Sequence, residues 1–423
     1  MRYYLRNPKT KTISPVVLVP PSLQQDTDFY GRVNKMCTLR EAMRERLKVQ
    51  NKTDDLSGIG AVLAAIQAYL GELHWYIEYY ERKPDEFKEL QAVEFIWKSA
   101  IISRFQDKIV SRPWLGGGKG AGDKEGPAGS RLLGSGPFKA RRTQSTSVYV
   151  ELGFTLLALA VSKCMSAYSR VATLDTEIEC ATLNEMTPGA RLDVDEGHGM
   201  DSLKRASTEL REAAGVFEYV IGSVLPRTRG ARLGVPDLMP DVQYMLQTLA
   251  LADSDRLSVR VWLREDRNRR KTPNTPANLL LGIQERYAHA YASLRTLRGG
   301  EFRNVSTEIQ CYMRDGQQVI MAQAMIYLAQ VHSDNQRFGN AVGFMRDARE
   351  LLSDVRKRNA SVHAPTADML LSGPLEPLYS LYRRNNDTIG FEHVPSSEEL
   401  RARLPSGRAL LSRAVQYVPP AGS

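Results

Sequence analysis

The sequence predicts an all-α fold, a single elongated helical domain with a small β feature at its N-terminus. Of the 423 residues, 42% are apolar and 25% are charged, which is the composition of a globular protein with a sizeable core. Apolar residues recur every three or four positions along most of the chain, which is the period of an amphipathic helix. Strand-like patterns are confined to the first 25 residues.

The first long helical pattern runs from Ile59 to Tyr80, and Pro84 is expected to stop it. A second stretch, Ser147 to Ser166, is apolar on nearly every side, which suits a helix surrounded by other helices. A third stripe runs from Leu203 to Val224, with Asp201 placed as its N-terminal cap. These patterns predict three long helices in the first half of the chain.

Four more helical patterns follow in the second half, over residues 242–252, 278–297, 317–332 and 338–355. The short polar link SDNQR separates the last two patterns, so they are expected to form an antiparallel pair. Small residues give this pair the pattern of a tetratricopeptide-type hairpin, although no second copy follows at a fixed period. The pair therefore predicts a tetratricopeptide-like core and argues against a regular repeat array.

Two segments depart from the helical pattern and set the predicted boundaries. Near the N-terminus, VVLVP is expected to form a strand that pairs with an element near Tyr3. Residues 116–142 are Gly-rich and basic, which predicts a flexible loop within an insertion at 113–145. We therefore predict one helical domain over residues 1–395, interrupted by that insertion, and a C-terminal tail over residues 396–423.

The chain is basic, because 57 lysines and arginines stand against 48 acidic residues, giving a net charge of +9. Such a charge favours acidic partners. The densest basic run lies within residues 260–271, and its cations predict contact with an anionic membrane surface. These cations are Arg264, Arg267, Arg269, Arg270 and Lys271. A solvated helix end, paired with Glu265 and Asp266, explains the run equally well. Nucleic acid ranks below membrane as a partner, because Trp262 is the one aromatic residue there.

The sequence contains none of the residue patterns that mark an enzyme. The Gly-rich loop lacks the GxxxxGK spacing of a phosphate-binding loop, and no histidine or cysteine has a second ligand at metal-binding spacing. No GxSxG elbow is present, and the four cysteines form no CxxC pair, which favours a reducing compartment. We therefore expect no catalytic residue, metal, cofactor or small-molecule substrate. The most apolar stretch, Val148–Val161, is too short to span a bilayer.

The segment from Asn385 to Leu400, NNDTIGFEHVPSSEEL, resembles the closing signature of the Bro-one domain family. That signature reads aspartate, two variable residues, Ile-Tyr-His and then Val-Pro. The matching residues are Asp387, Ile389, His393, Val394 and Pro395. Phe391 lies near the position of the usual tyrosine.

Other stretches follow in the order of the same family. FIWKSA, residues 95–100, looks like the start of a central helix, and the helical stretch after Ser147 looks like the helix that follows it. A third stretch is similar to a family helix through Ala213, Ala214, Gly215, Phe217 and Tyr219. A fourth resembles the helix that begins with Pro-Asp, through Pro240, Asp241, Leu249, Ala250 and Ala252. Leu251 and Asp253 interrupt the family's Gln-Ala-Gln-Glu run.

The resemblance implies a banana-shaped helical scaffold around a tetratricopeptide-like core, without catalytic activity. Family members hold the C-terminal amphipathic helix of the core ESCRT-III subunit in an apolar groove. The helix at the Pro-Asp motif is expected to line that groove with four residues at i, i+3, i+4 and i+7. They are Val242, Met245, Leu246 and Leu249. The alternative is that this stripe packs inward, as most apolar helical stripes do.

The function expected from the resemblance is that of a non-enzymatic adaptor. It would bind an ESCRT-III-type amphipathic helix during endosomal sorting or membrane remodelling, in the cytoplasm and peripheral to endosomal membranes. The alternative is a structural component of a large cytoskeletal or ribonucleoprotein assembly. The divergent groove helix and the basic insertion fit that alternative as well.

Overall fold

The computed structural model describes residues 5–53, 56–88, 90, 94–102, 142–172, 174, 199–228, 235–265, 274–297, 305–358, 361–408 and 412–420. Long helices dominate these residues, which confirms the predicted all-α fold. The long helices are α1 (Thr27–Thr53), α2 (Ile59–Arg82), α3 (Val148–Val171), α4 (Met200–Tyr219), α5 (Pro240–Glu265), α6 (Asn274–Arg295), α7 (Thr307–Asp334) and α8 (Phe338–Arg356). Three shorter helices follow, α9 (Ala364–Leu370), α10 (Glu376–Asn385) and α11 (Ser397–Ala402).

The long helices pack in series, each against the next one along the chain, from α1 through α8. This order gives an elongated arrangement, because helices far apart in sequence share few contacts. The apolar stretch after Ser147 forms α3, which among the described helices meets the length and composition of a membrane span. Its span is 83% buried among the other helices, and that burial on all sides accounts for its composition.

The small β feature exists, but its residues differ from the predicted ones. β1 (Lys9–Thr10), β2 (Phe95–Lys98) and β3 (Arg142–Ser145) form an antiparallel sheet in the order β1-β2-β3. The VVLVP segment instead forms a 3₁₀ turn at Pro15–Leu18, because proline presets the turn and cannot donate to a strand ladder.

Two further expectations about this region are corrected by the sheet. FIWK forms β2 and does not begin a helix, since its aromatic and β-branched side chains alternate between a buried and a more exposed face. The described end of the predicted insertion, from Arg142, forms β3 where a loop was expected. The other residues of the 113–145 insertion lie outside the described residues.

Most observed helices extend beyond the predicted ones, by 13 residues at the end of α5 and by 10 residues at the start of α7, and two other helices depart from the predictions. α1 is absent from the predicted elements, because its apolar residues form a poor stripe among many charged residues. At α4 the N-cap is Gly199, in the left-handed conformation with φ 97°, and Asp201 lies in the first helical turn. Asp201 therefore does not cap the helix, although its charge there still suits the helix dipole.

The chain beyond α8 folds back over the helical series. α11 packs on α8, where a Cβ on Gly343 would approach the Leu400 side chain to 2.7 Å. The chain after α11 has no regular secondary structure, and we call its described residues, 404–408 and 412–420, the C-terminal strap. The predicted boundary at residue 395 stays a prediction, but the residues beyond it lie against the helices.

Candidate helix-docking site

The predicted groove residues are buried in the helical core. Val242 and Met245 are 0% exposed, Leu246 is 2% exposed and Leu249 is 1% exposed. The stripe is covered because α5 packs between α4 and α6, and apolar side chains on that side leave water. The prediction that these four side chains line an exposed groove is therefore wrong, and the inward-packing alternative holds.

The opposite side of α5 faces outward and is the surface that the helix can offer a partner. Tyr244, Thr248, Leu251, Asp255 and Ser258 follow at steps of four and three residues, so they share one face. At the start of this face the Tyr244 side chain is 52% exposed, and Leu251 is half-buried. We call this stripe the outer face of α5. It begins open to solvent and apolar, as a helix-docking surface requires.

Farther along α5 the outer face becomes polar and is covered. The hydroxyl of Ser254, beside this face, lies 2.9 Å from that of Ser207 on α4, and the Ser258 hydroxyl lies 3.3 Å from Ser207. Asp255 forms an ion pair with Arg286 of α6 and is fully buried. Burial raises the pKa of the Asp255 carboxyl to about 6, while Ser412 and Arg286 act in the opposite direction. Small polar groups thus join α4, α5 and α6 beneath this part of the surface.

The C-terminal strap is what covers this polar part, and it crosses three helices in turn. Over α6, the Arg408 N–H donates to the Asn278 carbonyl at 2.8 Å. Over α5, the side chain and backbone of Ser412 approach Asp255 closely enough to lower its pKa. Over α4, the Val415 N–H donates to the carbonyl of Arg211 at 3.0 Å. The strap therefore runs across the outer face of α5.

A glycine lets the strap approach α4 closely. A Cβ on Gly215 would lie 1.7 Å from the Val415 carbonyl oxygen, a separation that no side chain can occupy. The same contact is repeated over α6, where a Cβ on Gly407 of the strap would lie 2.5 Å from the Gly282 nitrogen. Gly215 belongs to the family-like motif of α4, and its role here is to admit a crossing chain.

Beyond α4 the strap leaves part of its groove unfilled. A half-open cleft with a volume of about 370 Å³ lies between residues 415–420 and the surface of α2, α3 and α4. Its helical walls include Leu70, Leu159 and Val216, together with the ion pair between Lys163 and Glu212 at 2.5 Å. An apolar floor with one charged pair at the wall is the lining that an amphipathic segment recognises.

A second cavity, lined by both apolar and polar side chains, lies between α3, α4, α5, α7 and α9. Asp253 accepts a hydrogen bond from the Tyr312 hydroxyl at 3.0 Å, and the Tyr312 carbonyl lies 3.2 Å from Nε2 of His363. The volume of this cavity is about 50 Å³, which holds a few water molecules and leaves no room for an organic substrate. Among the buried thiols, burial raises the pKa of Cys37 to about 11, so it remains protonated at neutral pH.

Most of the predicted membrane-contacting cations lie outside the residues that the structure describes. Arg264 lies in the last turn of α5, and its side chain is outside the described residues. Arg267, Arg269, Arg270 and Lys271 lie outside them entirely, so membrane contact stays a prediction. Sequence reasoning missed Tyr244 and the strap. Tyr244 lies three residues after Asp241, on the polar side of the predicted helix, so the helical period could have indicated it. Only a tertiary structure shows which side of α5 is covered.

The described helices form a serial helical body with one partly exposed face on α5. A family model described as BRO1-like domain matches residues 193–416, more than half of the chain. The chain therefore belongs to the BRO1-like domain family, which consists of scaffold proteins, and the predicted Bro-one membership is confirmed. A search of curated proteins finds no sequence that matches this chain.

Three solved structures share this fold. The chain is 16% identical to one described as "ALIX BRO1 CHMP4C complex", with a TM-score of 0.62, and the match covers 98% of this chain and 95% of that one. A second, "Crystal Structure of ALIX in complex with the SIVmac239 PYKEVTEDL Late Domain", is 16% identical at a TM-score of 0.63. The match covers 99% of this chain and 49% of that one. A third, "Structure basis for endosomal targeting by the Bro1 domain", is 14% identical at 0.59 and covers 98% and 92%. Such Bro1 domains are banana-shaped helical folds, which confirms the predicted curved shape.

Proposed function

We propose that this protein is an ESCRT-associated adaptor that binds a partner's amphipathic helix on the outer face of α5. Family membership supports the adaptor role, because BRO1-like domains are scaffolds. One structural neighbour is a complex with CHMP4C, an ESCRT-III subunit, and another concerns endosomal targeting. We therefore propose an ESCRT-III-type helix as the partner and the endosomal surface as the place of action.

The observation that carries the proposal is the open apolar start of the outer face. Tyr244 exposes 52% of its surface on a well-packed helix, where a large aromatic side chain normally becomes buried. Tyr244 and Leu251 lie two turns apart on the same helical face, so a partner helix that lies along α5 can contact both. An exposed tyrosine on such a face supplies area for apolar contact and a hydroxyl for one hydrogen bond.

The partner's contact residues follow from this geometry. An amphipathic helix laid along the outer face meets Tyr244 and Leu251 about 10 Å apart, given a rise of 1.5 Å per residue. Apolar residues seven positions apart on the partner match that distance, with a small residue between them opposite Thr248. A partner helix with residues at i, i+3 or i+4, and i+7 on one side, apolar at its two ends, therefore complements the outer face of α5.

Binding of a fluorescent peptide with the sequence of the CHMP4C C-terminal helix tests the proposal. We expect Tyr244→Asp and Leu251→Asp each to weaken binding at least tenfold, because each places a charge against the apolar face of the peptide. Val49→Asp is the matched control, since Val49 is equally exposed on α1 and far along the helical series. Equal affinities for all four proteins contradict the proposed site.

We also propose that the basic run after α5 contacts anionic membrane. Each Lys or Arg near an anionic headgroup surface contributes about 1 kcal/mol, so a cluster of five gives salt-sensitive binding. Sedimentation with phosphatidylserine vesicles tests this role in the wild type and in a variant with Arg267, Arg269 and Arg270 changed to Ser. Binding that survives the triple change, or that ignores salt, contradicts the membrane contact.

A further inference from the structure

We infer that the C-terminal strap is a displaceable occupant of the docking surface, and that a partner helix reaches the full surface only after the strap leaves. This inference rests on the proposed function, because it concerns how the same surface is regulated. It adds a site that extends past Asp255 on α5 to the cleft bounded by α2, α3 and α4.

The strap and the proposed partner occupy one continuous surface. Leu251 and Asp255 are adjacent turns of the same helical face, and Leu251 is half-buried while Asp255 is fully buried. The strap contacts α6 through Arg408 and α4 through Val415, so it crosses α5 between them, and Asp255 on α5 is 0% exposed. A partner helix longer than about three turns from Tyr244 therefore meets the strap.

The strap is held by contacts that favour release. Main-chain groups make most of its hydrogen bonds, such as Arg408 with Asn278 and Arg413 with the Nε of Arg211 at 2.9 Å. Its apolar side chains are poorly buried, since Val418 is 75% exposed and Val415 remains exposed as well. Tyr417 is the main anchor, with its ring 5.1 Å from that of Tyr219. A segment with so little buried apolar area opens more readily than the helices beneath it.

The groove is built for a crossing chain, but the strap fills it incompletely. Gly215 provides a notch in α4 that accepts only backbone. Past that notch, the cleft of about 370 Å³ stays unfilled beside Leu70, Leu159 and Val216. The Tyr417 hydroxyl is buried and has no hydrogen-bond partner among the described residues, which disfavours the strap-bound state further.

The cleft indicates the chemistry of the competing segment. The three apolar side chains that line the cleft are each at most 2% exposed while the strap is bound, and the cleft volume of about 370 Å³ accommodates two or three leucine-sized groups. Lys163 and Glu212 form the charged wall, so a segment that places an acidic group at Lys163 or a basic group at Glu212 gains a salt bridge. An amphipathic helix with charged flanks has both features, which is the partner already proposed for the outer face.

Substitution of Gly215 tests the inference without disturbing the helix. In Gly215→Ala, the new Cβ collides with the Val415 carbonyl and expels the strap, while alanine favours the helix itself. Gly60→Ala on α2 is the matched control, because nothing lies within 4 Å of its new Cβ. A second variant that ends at Arg403 removes the strap directly. Hydrogen exchange of residues 412–420 reports release of the strap, and the CHMP4C peptide reports affinity.

We expect Gly215→Ala and the truncated chain to bind the peptide about tenfold more tightly than wild type and Gly60→Ala, as expected if the strap covers the site nine-tenths of the time. Faster exchange at residues 412–420 in Gly215→Ala should accompany the gain. Unchanged or weaker binding by both strap variants refutes the inference while leaving the adaptor function in place. Failure of every protein, including the truncated chain, to bind the peptide refutes the proposed function instead.

Discussion

Glu151, in the first turn of α3, holds the N-terminal part of the fold together. Its carboxylate is fully buried and accepts hydrogen bonds from Arg40 Nε at 2.8 Å, from the Tyr69 hydroxyl at 2.9 Å and from Trp97 Nε1 at 2.5 Å. Arg40 reaches onward to the Thr10 hydroxyl at 2.6 Å, so one carboxylate links α1, α2, α3 and the sheet. Burial alone lowers the pKa of Arg40, but the charge of Glu151 more than compensates and raises it.

The change Glu151→Gln keeps the shape of the side chain and removes its charge. The amide NH₂ must then face a donor, because both carboxylate oxygens of Glu151 accept from Arg40 and from one further donor. Arg40, itself 2% exposed, loses its counter-charge. Breaking a buried ion pair from one side costs about 3–5 kcal/mol of the free energy of unfolding. For a chain of this length, that loss lowers the Tm by roughly 3–6 °C.

Differential scanning calorimetry and urea unfolding measure this loss. Glu78→Gln is the control, because Glu78 pairs with Arg82 at an exposed site on α2 and its loss changes stability by less than about 0.5 kcal/mol. The double variant Arg40→Met with Glu151→Gln should lose at least about 2 kcal/mol less than the two single losses added together. If Glu151→Gln lowers the free energy of unfolding by less than about 1 kcal/mol, this account of the network is refuted.

Three other predictions concern stability and the buried face of α5. Leu246→Asp should unfold the protein, because it buries a charge in the core at a cost of several kcal/mol. The exposed control Tyr244→Asp should keep the circular dichroism spectrum of wild type. A folded Leu246→Asp protein would contradict the buried position of Leu246. Burial lowers the pKa of His74 from 6.5 to about 4, so the folded state binds its proton less tightly and stability falls as the pH drops below 6.5. Between pH 7.5 and pH 4.5, urea unfolding should show that wild type loses about 2–3 kcal/mol more of its free energy of unfolding than His74→Gln does. Equal losses in the two proteins would contradict the effect of His74. Asn386→Ala should lower the free energy of unfolding by about 2 kcal/mol, because the Asn386 amide makes two hydrogen bonds to the backbone of Glu392, at 3.0 and 3.1 Å. Thermal unfolding measures this loss. A free energy of unfolding within about 0.5 kcal/mol of wild type would show that these two bonds contribute little.

Helices were predictable where their residues repeat with the helical period, since such repetition reflects burial of one side regardless of the neighbour. The stripe from Ile59 and the stretch after Ser147 therefore predicted α2 and α3 within a few residues. α1 was missed because polar residues cover much of it and its burial depends on α2. The sheet was misplaced because strand pairing joins residues far apart, such as Thr10 with Trp97, and no local pattern records such a pairing.

The sequence alone was sufficient to identify the family, the helical class and the absence of familiar catalytic motifs, because these follow from local residue order. It could not decide which side of α5 faces solvent. A stripe such as Val242, Met245, Leu246 and Leu249 is equally apolar whether it packs on the molecule's own helices or waits for a partner. That choice depends on what α4, α6 and the C-terminal strap cover, and only the tertiary structure brings those segments, up to some 200 residues apart, onto one surface.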